Sequence, residues 1–276
     1  MKPFLKWVGG KTQIIDTLMD SFPDTIVNYH EPFLGGGSVL LAVLESKRIT
    51  GTVYASDINK TLIQVYRDIQ VDPKRFTKGV QEVVNDFKKL YTDEEREAFY
   101  YEIRTMFNSD ETPEQMKSIL FLFLNKTCFR GVYREGPNGF NVPYGHNKNP
   151  EVINAKHILE VSLLIKNVVF THCSFKEALV RVASLGDFVY LDPPYAPVNI
   201  TSFVGYNVKG FTGDNHQQLF KTCKQLPSKW VMSNAHVPLV VQEFEVDYPI
   251  TVISCKRKIN SKNPESLANE VLVSNL

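Results

Sequence analysis

The sequence predicts an α/β fold built on a parallel sheet, with a mainly helical segment inserted into it. Strand and helix patterns alternate over residues 27–69, and the same alternation returns over residues 167–234. Between them, residues 72–127 carry three consecutive helical patterns and no strand pattern. Alternation of this kind is typical of a parallel sheet covered on both faces, and helices that interrupt it indicate a second domain.

The first elements follow from apolar runs and the residues that bound them. A helix over residues 11–20 precedes an apolar segment, 27–33, which predicts a buried strand running into the three glycines at 35–37. Residues 38–46 predict a helix with Ser38 as its N-cap. Residues 52–57 then predict a strand that ends on Asp57, and residues 59–69 predict the next helix.

The middle of the chain predicts three helices and a hairpin. The helices cover residues 73–90, 93–108 and 113–127. In residues 131–145, the run Pro-Asn-Gly separates two β-prone arms, which predicts a hairpin. We therefore assign residues 1–70 and 150–276 to the α/β domain, and residues 71–149 to the inserted helical domain.

The last third returns to alternating elements. Strands are predicted at residues 167–173, 187–192 and 229–234, and helices at 175–183 and 214–226. Two final strands, 248–256 and 268–276, are joined by a short polar loop. Strands joined by so short a connection are expected to pair antiparallel.

Composition places the chain among globular proteins. Of its 276 residues, 43% are hydrophobic and 22% are charged, which excludes disordered and coiled-coil proteins. The net charge is +1, so any nucleic-acid surface must be local. The four cysteines form no Cys-x-x-Cys pair, so we expect neither a zinc site nor a disulfide framework. With no signal sequence and no membrane span in the sequence, we expect an intracellular, cytoplasmic protein.

The most specific segment is Leu-Asp-Pro-Pro-Tyr, residues 191–195. Two prolines keep Asp192 extended at the carboxyl end of a strand and stiffen the residues after it. In parallel sheets, ligands bind at that edge. A carboxylate, a neighbouring carbonyl and the face of Tyr195 suit an amino group on a flat heterocycle. The alternative is an ordinary strand end with a surface aspartate and a packed tyrosine.

Two further segments point to a nucleotide-type ligand. Glycines at 35–37 follow a strand and open a helix, and Asp57 ends the next strand, where it can accept ribose hydroxyls. The third glycine of the dinucleotide fingerprint is replaced by Leu40, so a turn without a ligand remains an alternative. Residues 4–12 contain Gly-Gly-Lys-Thr, but Leu5 stands where a phosphate loop requires glycine. Trp7 and Lys11 instead offer an apolar face and a cation for a carboxylate.

In this order, these segments resemble the Dam-type adenine-N6 DNA methyltransferases (the D12 class, alpha group). FLKWVGGK, EPFLGGGS, SDIN and DPPY match the family's N-terminal cofactor, glycine, ribose-binding acidic and catalytic motifs. The resemblance runs from residue 4 to beyond residue 235. It implies a Rossmann-like methyltransferase fold with an inserted target-recognition domain, S-adenosyl-L-methionine as cofactor, and transfer to a flipped-out adenine without a metal ion.

The resemblance also implies roles for particular residues. Asp192, Pro193, Pro194 and Tyr195 would form the catalytic motif, with Tyr195 stacked on the target base. S-adenosylmethionine would be bound by Trp7, Lys11, Phe33, Gly35, Gly37, Asp57, Phe175 and Asp192. DNA would be contacted by Lys6, Phe129, Arg130, Val132, Arg134 and Pro143.

The recognition segment also suits DNA on physical grounds. Residues 126–148 hold four basic side chains against one acidic one, interleaved with Phe129, Tyr133, Phe140 and Tyr144. Arginine reads guanine in the major groove, and an aromatic ring at a hairpin base can wedge into the base stack. An ordinary charged hairpin is the alternative. A second basic run, residues 255–262, is either a phosphate contact or a solvated loop.

Several points stay open at the level of sequence. Arg130 departs from the asparagine typical of GATC-reading members, so GATC is the default target and CATG an alternative. Other candidate functions are N4-cytosine, RNA or protein-amide methylation, and an inactive DNA-binding regulator; Asp192 in place of asparagine argues against the protein-amide class. We expect a monomer or weak dimer, with a companion restriction endonuclease undetermined.

Overall fold

The computed structural model describes residues 1–147, 149–197, 210–256 and 267–276. The chain divides into two compact units. The first comprises Met1–Thr12, Gly35–Glu45 and Asp57–His172, and the second comprises Gln13–Leu34, Ser46–Ser56 and Cys173–Leu276. Each unit is thus assembled from three stretches of chain.

The helices and strands follow the predicted alternation. The α-helices are α1 (Ile15–Ser21), α2 (Ser38–Ser46), α3 (Lys60–Val71), α4 (Pro73–Lys88), α5 (Asp93–Asn108), α6 (Glu114–Thr127), α7 (Ala155–Leu164), α8 (Phe175–Leu179), α9 (Gly213–Gln225) and α10 (Pro238–Phe244). The strands are β1 (Thr25–Ile26), β2 (Asn28–Glu31), β3 (Arg48–Ile49), β4 (Val53–Asp57), β5 (Glu135–Gly136), β6 (Gly139–Phe140), β7 (Val168–His172), β8 (Asp187–Leu191), β9 (Lys229–Ala235), β10 (Ile250–Lys256) and β11 (Leu267–Ser274).

The second unit is organised around a mostly parallel sheet. Its strands lie in the order β10, β11, β9, β8, β2, β4. Pairing is parallel from β9 through β8 and β2 to β4. Strand β11 runs antiparallel to both of its neighbours, which confirms the predicted pairing of the last two strands. The mixed α/β class with a parallel sheet is therefore confirmed.

Burial explains why β8 lies inside this sheet. All five of its residues are buried, and in its register Leu191 lies opposite Met232 of β9. A strand covered on both faces needs a continuous apolar run, which is the pattern of its sequence. The same core contains Trp230 and the inward-facing side chains of two helices, Phe220 of α9 and Phe244 of α10. This packing fixes the end of β8, where Asp192 follows.

The first unit is mainly helical, and the three predicted helices between residues 72 and 127 are all present as α4, α5 and α6. Asn59 and Asp72 cap α3 and α4, and Thr92 forms a capping box with Glu95 at the start of α5. Helix α6 is buried almost all round, so α3, α4 and α5 pack against it. A helix that is apolar on every side is expected at the centre of a helical layer.

The predicted hairpin is present in short form. Strands β5 and β6 pair antiparallel across Pro137 and Asn138, and Gly139 has a φ of 87°. Asn108, at the end of α5, binds the backbone of Phe140 in both directions: its Oδ1 accepts from N–H at 2.9 Å and its Nδ2 donates to C=O at 2.9 Å. The hairpin is thereby attached to the helical layer.

Element boundaries depart from the prediction where tertiary contacts compete. Helix α1 begins at Ile15 rather than residue 11, because the N–H of Lys11 bonds to the Ser38 hydroxyl at 3.1 Å. Ser38 is consequently the first residue of α2 and a tertiary acceptor, not the N-cap that we expected. Helices α7 and α10 were not predicted from the sequence.

Candidate functional site

The glycine turn in the first unit lies against an aromatic ring. Gly35 and Gly37 have φ values of 48° and 69°, which favour glycine. A Cβ on Gly35 would lie 2.9 Å from Cδ1 of Trp7, and one on Gly36 would lie 2.8 Å from Cβ of Trp7. The turn is therefore built from glycines because Trp7 approaches its backbone, so two residues of the predicted cofactor set lie in contact.

Asp57 anchors this turn through its carboxylate. Its Oδ2 accepts the N–H of Gly35 at 3.0 Å and its Oδ1 accepts the N–H of Asn59 at 2.9 Å. Burial raises the pKa of Asp57, and these backbone bonds oppose the rise. A carboxylate has about four acceptor positions. Its acceptor positions therefore suffice for both the backbone N–H groups and the hydroxyls of a ribose.

Lys11 is a buried cation beside the same turn. Only 4% of the residue is exposed. Its ammonium donates to the carbonyl of Gly9 at 2.6 Å, and its backbone is fixed to Ser38 at the start of α2. A buried ammonium needs anionic or carbonyl partners. Lys11 is thus a buried cation whose ammonium lies on the Gly9 carbonyl and whose backbone is tied to the helix that follows the glycine turn.

The predicted recognition segment packs on Lys6. Phe129–Gly131 forms one helical turn in which Arg130 and Gly131 have φ values of 57° and 65°. A Cβ on Gly131 would lie 2.4 Å from Cδ of Lys6. Lys6 is held by Asn125, whose Oδ1 accepts its N–H at 2.9 Å and whose Nδ2 donates to its C=O at 2.7 Å. The structure therefore brings Lys6 to the segment that the sequence assigned to DNA.

The six predicted DNA-contact residues differ in their exposure to solvent. Lys6, Phe129, Arg130, Arg134 and Pro143 are exposed, and Val132 is half-buried. The Arg130 guanidinium lies 5.1 Å from the centre of the Phe129 ring. Nε of Arg134 donates to Oδ1 of Asn141 at 2.7 Å. These predicted DNA contacts therefore present an aromatic and cationic surface.

The interleaved aromatics do not all share that surface. Tyr133, Phe140 and Tyr144 are buried, which leaves Phe129 as the exposed member of the four. These aromatic residues alternate with basic ones because the segment is strand-like, so that one of its faces packs on the helical core. The expectations for Lys148, and for the side chains of the basic run at residues 255–262, lie outside the described residues.

Residues 192–196 belong to the second unit, where neighbouring elements hold them at three points. The N–H of Ala196 donates to Oδ1 of Asn234 at 3.0 Å. Nε2 of His216, in α9, lies 3.0 Å from the carbonyl of Pro194. The hydroxyl of Tyr195 donates to the carboxylate of Glu270, in β11, at 2.7 Å. Together with the two prolines, these bonds fix the segment after β8.

The electrostatics of this segment keep Tyr195 neutral. Burial raises its pKa well above the ordinary value, and the nearby carboxylates of Asp192 and Glu270 raise it further. Burial lowers the pKa of His216. Tyr195 is therefore a neutral phenol whose O–H donates a hydrogen bond to Glu270, and that bond fixes the orientation of the ring. Asp192 is half-buried at the strand end.

An aromatic cluster in the second unit contains two of the predicted cofactor residues. The rings of Phe33 and Phe175 stack with centres 5.6 Å apart, and Phe211 meets them at 5.9 Å and 5.6 Å respectively. Flat apolar faces of this kind suit the adenine of a nucleoside. The structure thus brings Phe33 and Phe175 together in one cluster.

Several residues that contact the predicted site residues were not identified from the sequence. Asn234, His216, Glu270 and Phe211 were not singled out, and Tyr133 was read as a DNA-side aromatic. Asn234 sits at the end of a strand beside β8, which is a usable signal for a residue at the same sheet edge. Glu270 carries no such signal, because it occurs within an antiparallel strand.

The predicted residues therefore fall into two groups. Trp7, Lys11, Gly35, Gly37, Asp57 and the six predicted DNA contacts belong to the first unit, and Phe33, Phe175 and residues 192–195 belong to the second. A largely parallel α/β sheet with a glycine turn, an acidic residue ending the next strand and an Asp-Pro-Pro-Tyr strand end defines the class: a methyltransferase with the fold of the S-adenosylmethionine-dependent enzymes.

Comparison with known proteins identifies the family within that class. Residues 7–259 match the D12 class N6 adenine-specific DNA methyltransferase family, and the chain belongs to this family. It is therefore an enzyme that methylates adenine in DNA, as the sequence motifs indicated. The suspected family is confirmed.

Relatives in archaea and bacteria agree with the match. The chain is 36% identical to the type II methyltransferase M.MjaIII of Methanocaldococcus jannaschii, covering 95% of this chain and 94% of that protein. It is 30% identical to the type II methyltransferase M1.LlaDCHI of Lactococcus lactis subsp. cremoris, covering 100% and 95%. It is also 30% identical to the DNA adenine methylase of Escherichia coli K12, covering 94% and 90%.

Within the described part of the chain, none of the helices has the length and apolar character needed to cross a membrane. No group of three or more histidine, cysteine, aspartate or glutamate side chains there is arranged to hold a metal ion.

Proposed function

We propose that this enzyme transfers a methyl group from S-adenosylmethionine to the N6 amino group of an adenine flipped out of a short palindromic duplex site, with GATC as the default target. The observation that carries the proposal is the fixed segment that follows β8. It is held at Pro194 by His216, at Tyr195 by Glu270 and at Ala196 by Asn234. A pre-positioned acceptor pair beside an aromatic face is what transfer to an amino group requires.

The cofactor contacts come from residues with the required chemistry. Asp57 binds the ribose hydroxyls, Phe33 and Phe175 contact the adenine, and Lys11 supplies a cation for the carboxylate. Trp7, Gly35 and Gly37 shape the turn, and Asp192 also contacts the cofactor. When bound, S-adenosylmethionine supplies a methyl group on a positively charged sulfur, which makes the carbon electrophilic.

The chain's own residues then act on the target base. Extruding a base from a duplex costs a few kcal/mol, which stacking on Tyr195 and hydrogen bonds must offset. The Asp192 carboxylate and the Pro193 carbonyl accept hydrogen bonds from the two N–H groups of the amino group. This polarises the nitrogen and turns its lone pair out of ring conjugation. The lone pair forms the new N–C bond as the C–S bond breaks and leaves a neutral thioether, and one N–H proton is then lost to solvent. Catalysis consists of positioning and electrostatic stabilisation.

Recognition of the duplex falls to the exposed surface of the first unit. Arg130 and Arg134 offer guanidinium groups for base edges or phosphates, Phe129 offers a ring for stacking, and Lys6 adds a cation. Val132 and Pro143 supply apolar contacts. Because Arg130 stands where GATC readers carry asparagine, CATG or a similar palindrome is the second candidate target.

The test is to identify both the modified base and its sequence context. The purified enzyme is incubated with labelled S-adenosylmethionine and unmethylated plasmid, and the DNA is digested to nucleosides. We expect all label in N6-methyl-2′-deoxyadenosine, and sequencing to place it in one four-base palindrome. Label in N4-methyl-2′-deoxycytidine, label only with RNA substrate, or no label at all would each overturn the proposal.

We expect Arg134→Ala to lower sequence discrimination about 5- to 100-fold while the Kd for S-adenosylmethionine changes less than about 2-fold, because a bidentate base contact contributes ~1–3 kcal/mol. Discrimination is measured as the ratio of kcat/KM on the target duplex to that on duplexes with one altered base pair. Arg75→Ala, at an exposed arginine of α4, is the matched control. Loss of cofactor affinity with discrimination intact would move the DNA surface elsewhere.

We expect the pH dependence of cofactor binding to depend on Asp57. Its pKa is raised by burial, so on acidification it is protonated at a higher pH than an ordinary carboxyl, and its acceptor strength is lost there. The Kd for S-adenosylmethionine should therefore rise as pH falls, and the rise should begin above the pH expected from an ordinary aspartate pKa of about 4.

The matched variants isolate this effect. Asp57→Asn should bind the cofactor about 10-fold or more weakly at neutral pH, since a hydrogen bond to a charged group contributes roughly 1.5–3 kcal/mol. The Kd of Asp57→Asn for S-adenosylmethionine should also no longer rise as the pH falls. Asp16→Asn, at an exposed aspartate, should retain the wild-type profile. An unchanged profile in Asp57→Asn would contradict the role of Asp57.

A further inference from the structure

We propose that Tyr133, within the recognition segment, is a positioning residue for Trp7 and couples duplex binding to S-adenosylmethionine binding. The inference rests on the proposed function, because it takes Trp7 as a cofactor contact and Arg134 as a DNA contact. Every contact that carries it lies within the first unit.

The ring of Tyr133 stacks on the indole of Trp7. Their centres are 5.5 Å apart and their planes differ by 21°. Tyr133 is buried and also contacts Phe121 and Phe140, with ring centres 5.6 Å away in each case. Because the helical core fixes the tyrosine and the glycine turn lies against the indole, the position of Tyr133 decides where Trp7 can lie.

The hydroxyl end of Tyr133 reaches the ribose-binding residue through one intermediate. Its O–H donates to the carboxylate of Glu135, and the side chain of Asn59 lies close enough to the phenol to oppose the rise that burial causes in its pKa. The N–H of Asn59 donates to Asp57 at 2.9 Å, and Oδ1 of Asn59 caps α3 by accepting from Leu62 at 2.9 Å.

These contacts form a closed ring. Trp7 lies against Gly35, the N–H of Gly35 bonds to Asp57, the N–H of Asn59 bonds to Asp57, and the side chain of Asn59 lies beside Tyr133, which stacks on Trp7. All members except Asn59 and Tyr133 were assigned to the cofactor. Tyr133 is the member that comes from the recognition segment, so the two functions share one structural element.

The covalent neighbours of Tyr133 give the coupling its direction. Arg134 is exposed and Val132 is half-buried, so adjacent side chains of one segment point to the core and to the DNA side. DNA contacts at Arg134 restrict the backbone of the segment and, with it, the tyrosine ring. Because bound DNA has already ordered the tyrosine, cofactor binding no longer costs that loss of entropy, and the affinity for the cofactor rises. By linkage, the bound cofactor raises the affinity for DNA by the same factor.

The experiment compares cofactor affinity with and without DNA. The Kd of S-adenosylhomocysteine, which has no methyl group to transfer, is measured by isothermal titration in the absence and presence of a saturating short duplex that carries the mapped target site. The proteins are the wild type, Tyr133→Phe, Tyr133→Leu and Tyr91→Ala. Tyr133→Leu keeps a buried apolar side chain but removes the flat ring, and Tyr91, 92% exposed, is the matched control.

We expect the duplex to tighten cofactor binding by the wild type about 5-fold or more. Tyr133→Leu should bind the cofactor about 2- to 10-fold more weakly without DNA, since a stacked pair contributes ~0.5–1.5 kcal/mol, and should lose the duplex effect. Tyr133→Phe should retain affinity within about 2-fold without DNA because the stack remains, but should show a smaller duplex effect. Tyr91→Ala should match the wild type.

The outcomes separate the two proposals. If the wild type binds the cofactor and Tyr133→Leu shows the same affinity and the same duplex effect, the positioning role is wrong and the proposed function stands. If Tyr133→Leu weakens binding by the same factor with and without duplex, Tyr133 is merely structural and the coupling is refuted. If the wild type does not bind the cofactor, the proposed function itself fails.

Discussion

Asp192→Ala lowers kcat for methyl transfer about 10²- to 10³-fold or more, while the variant remains folded. The expected size follows from the loss of one charged hydrogen-bonding group in the transition state, which typically has this effect. Stability should change little, because Asp192 follows the last residue of β8 and is half-buried, whereas the residues that fix the strand are apolar. Transfer of labelled methyl groups to plasmid DNA measures the effect.

The controls for Asp192 separate chemistry from binding. Asp20→Ala, at an exposed aspartate, should retain wild-type turnover. Because Asp192 is also assigned to the cofactor, the Kd for S-adenosylhomocysteine is measured in parallel, and kcat is taken at saturation. Tyr195→Ala should lose transfer in the same way. Near-normal kcat in either alanine variant would refute the mechanism.

Gly37→Ala lowers the free energy of unfolding by about 2 to 4 kcal/mol. The backbone there has a φ of 69°, and the added Cβ would lie 2.2 Å from the hydroxyl oxygen of Tyr66. A left-handed conformation costs an L-residue roughly 1–2 kcal/mol, and overpacking a buried position costs about 1–3 kcal/mol. Chemical denaturation followed by circular dichroism measures the change.

A double variant tests the steric part of this prediction. Tyr66→Phe removes the hydroxyl that the new methyl group would meet, so Gly37→Ala should be less destabilising in the Tyr66→Phe background. Gly10→Ala is the matched control, since its Cβ would lie 3.5 Å from the carbonyl of Trp7, an ordinary contact. Equal destabilisation by Gly37→Ala in both backgrounds would show that the clash with Tyr66 plays no part.

Most of the fold was predictable because local patterns and tertiary structure agree. Three local patterns each predicted the element that is found: the apolar run of β8, the helical pattern of α6 and the Pro-Asn-Gly turn of the hairpin. The exceptions occur where a distant group changes a local preference. Lys11 is held by Ser38, so α1 starts four residues late and the predicted N-cap serves as a tertiary acceptor.

The candidate site was predictable to the extent that its motifs are contiguous. Asp192 and Tyr195 stand at a Pro-Pro strand end, and Gly35 and Asp57 follow strands, so each could be found from its neighbours in the chain. The supporting residues could not. Glu270 and His216 reach the Asp-Pro-Pro-Tyr segment from 75 and 22 residues away, and no local pattern marks them.

The sequence by itself determined the α/β class and the family, and it located the motifs on which the proposed cofactor and catalytic roles rest, because these depend on short runs whose backbone geometry is set by glycine, proline and apolar spacing. Only the tertiary structure decided which side chains those motifs touch. Tyr133 reads as one more aromatic beside basic residues, yet it is buried and stacked on Trp7. The physical reason is that burial and hydrogen bonding depend on groups brought together from distant parts of the chain.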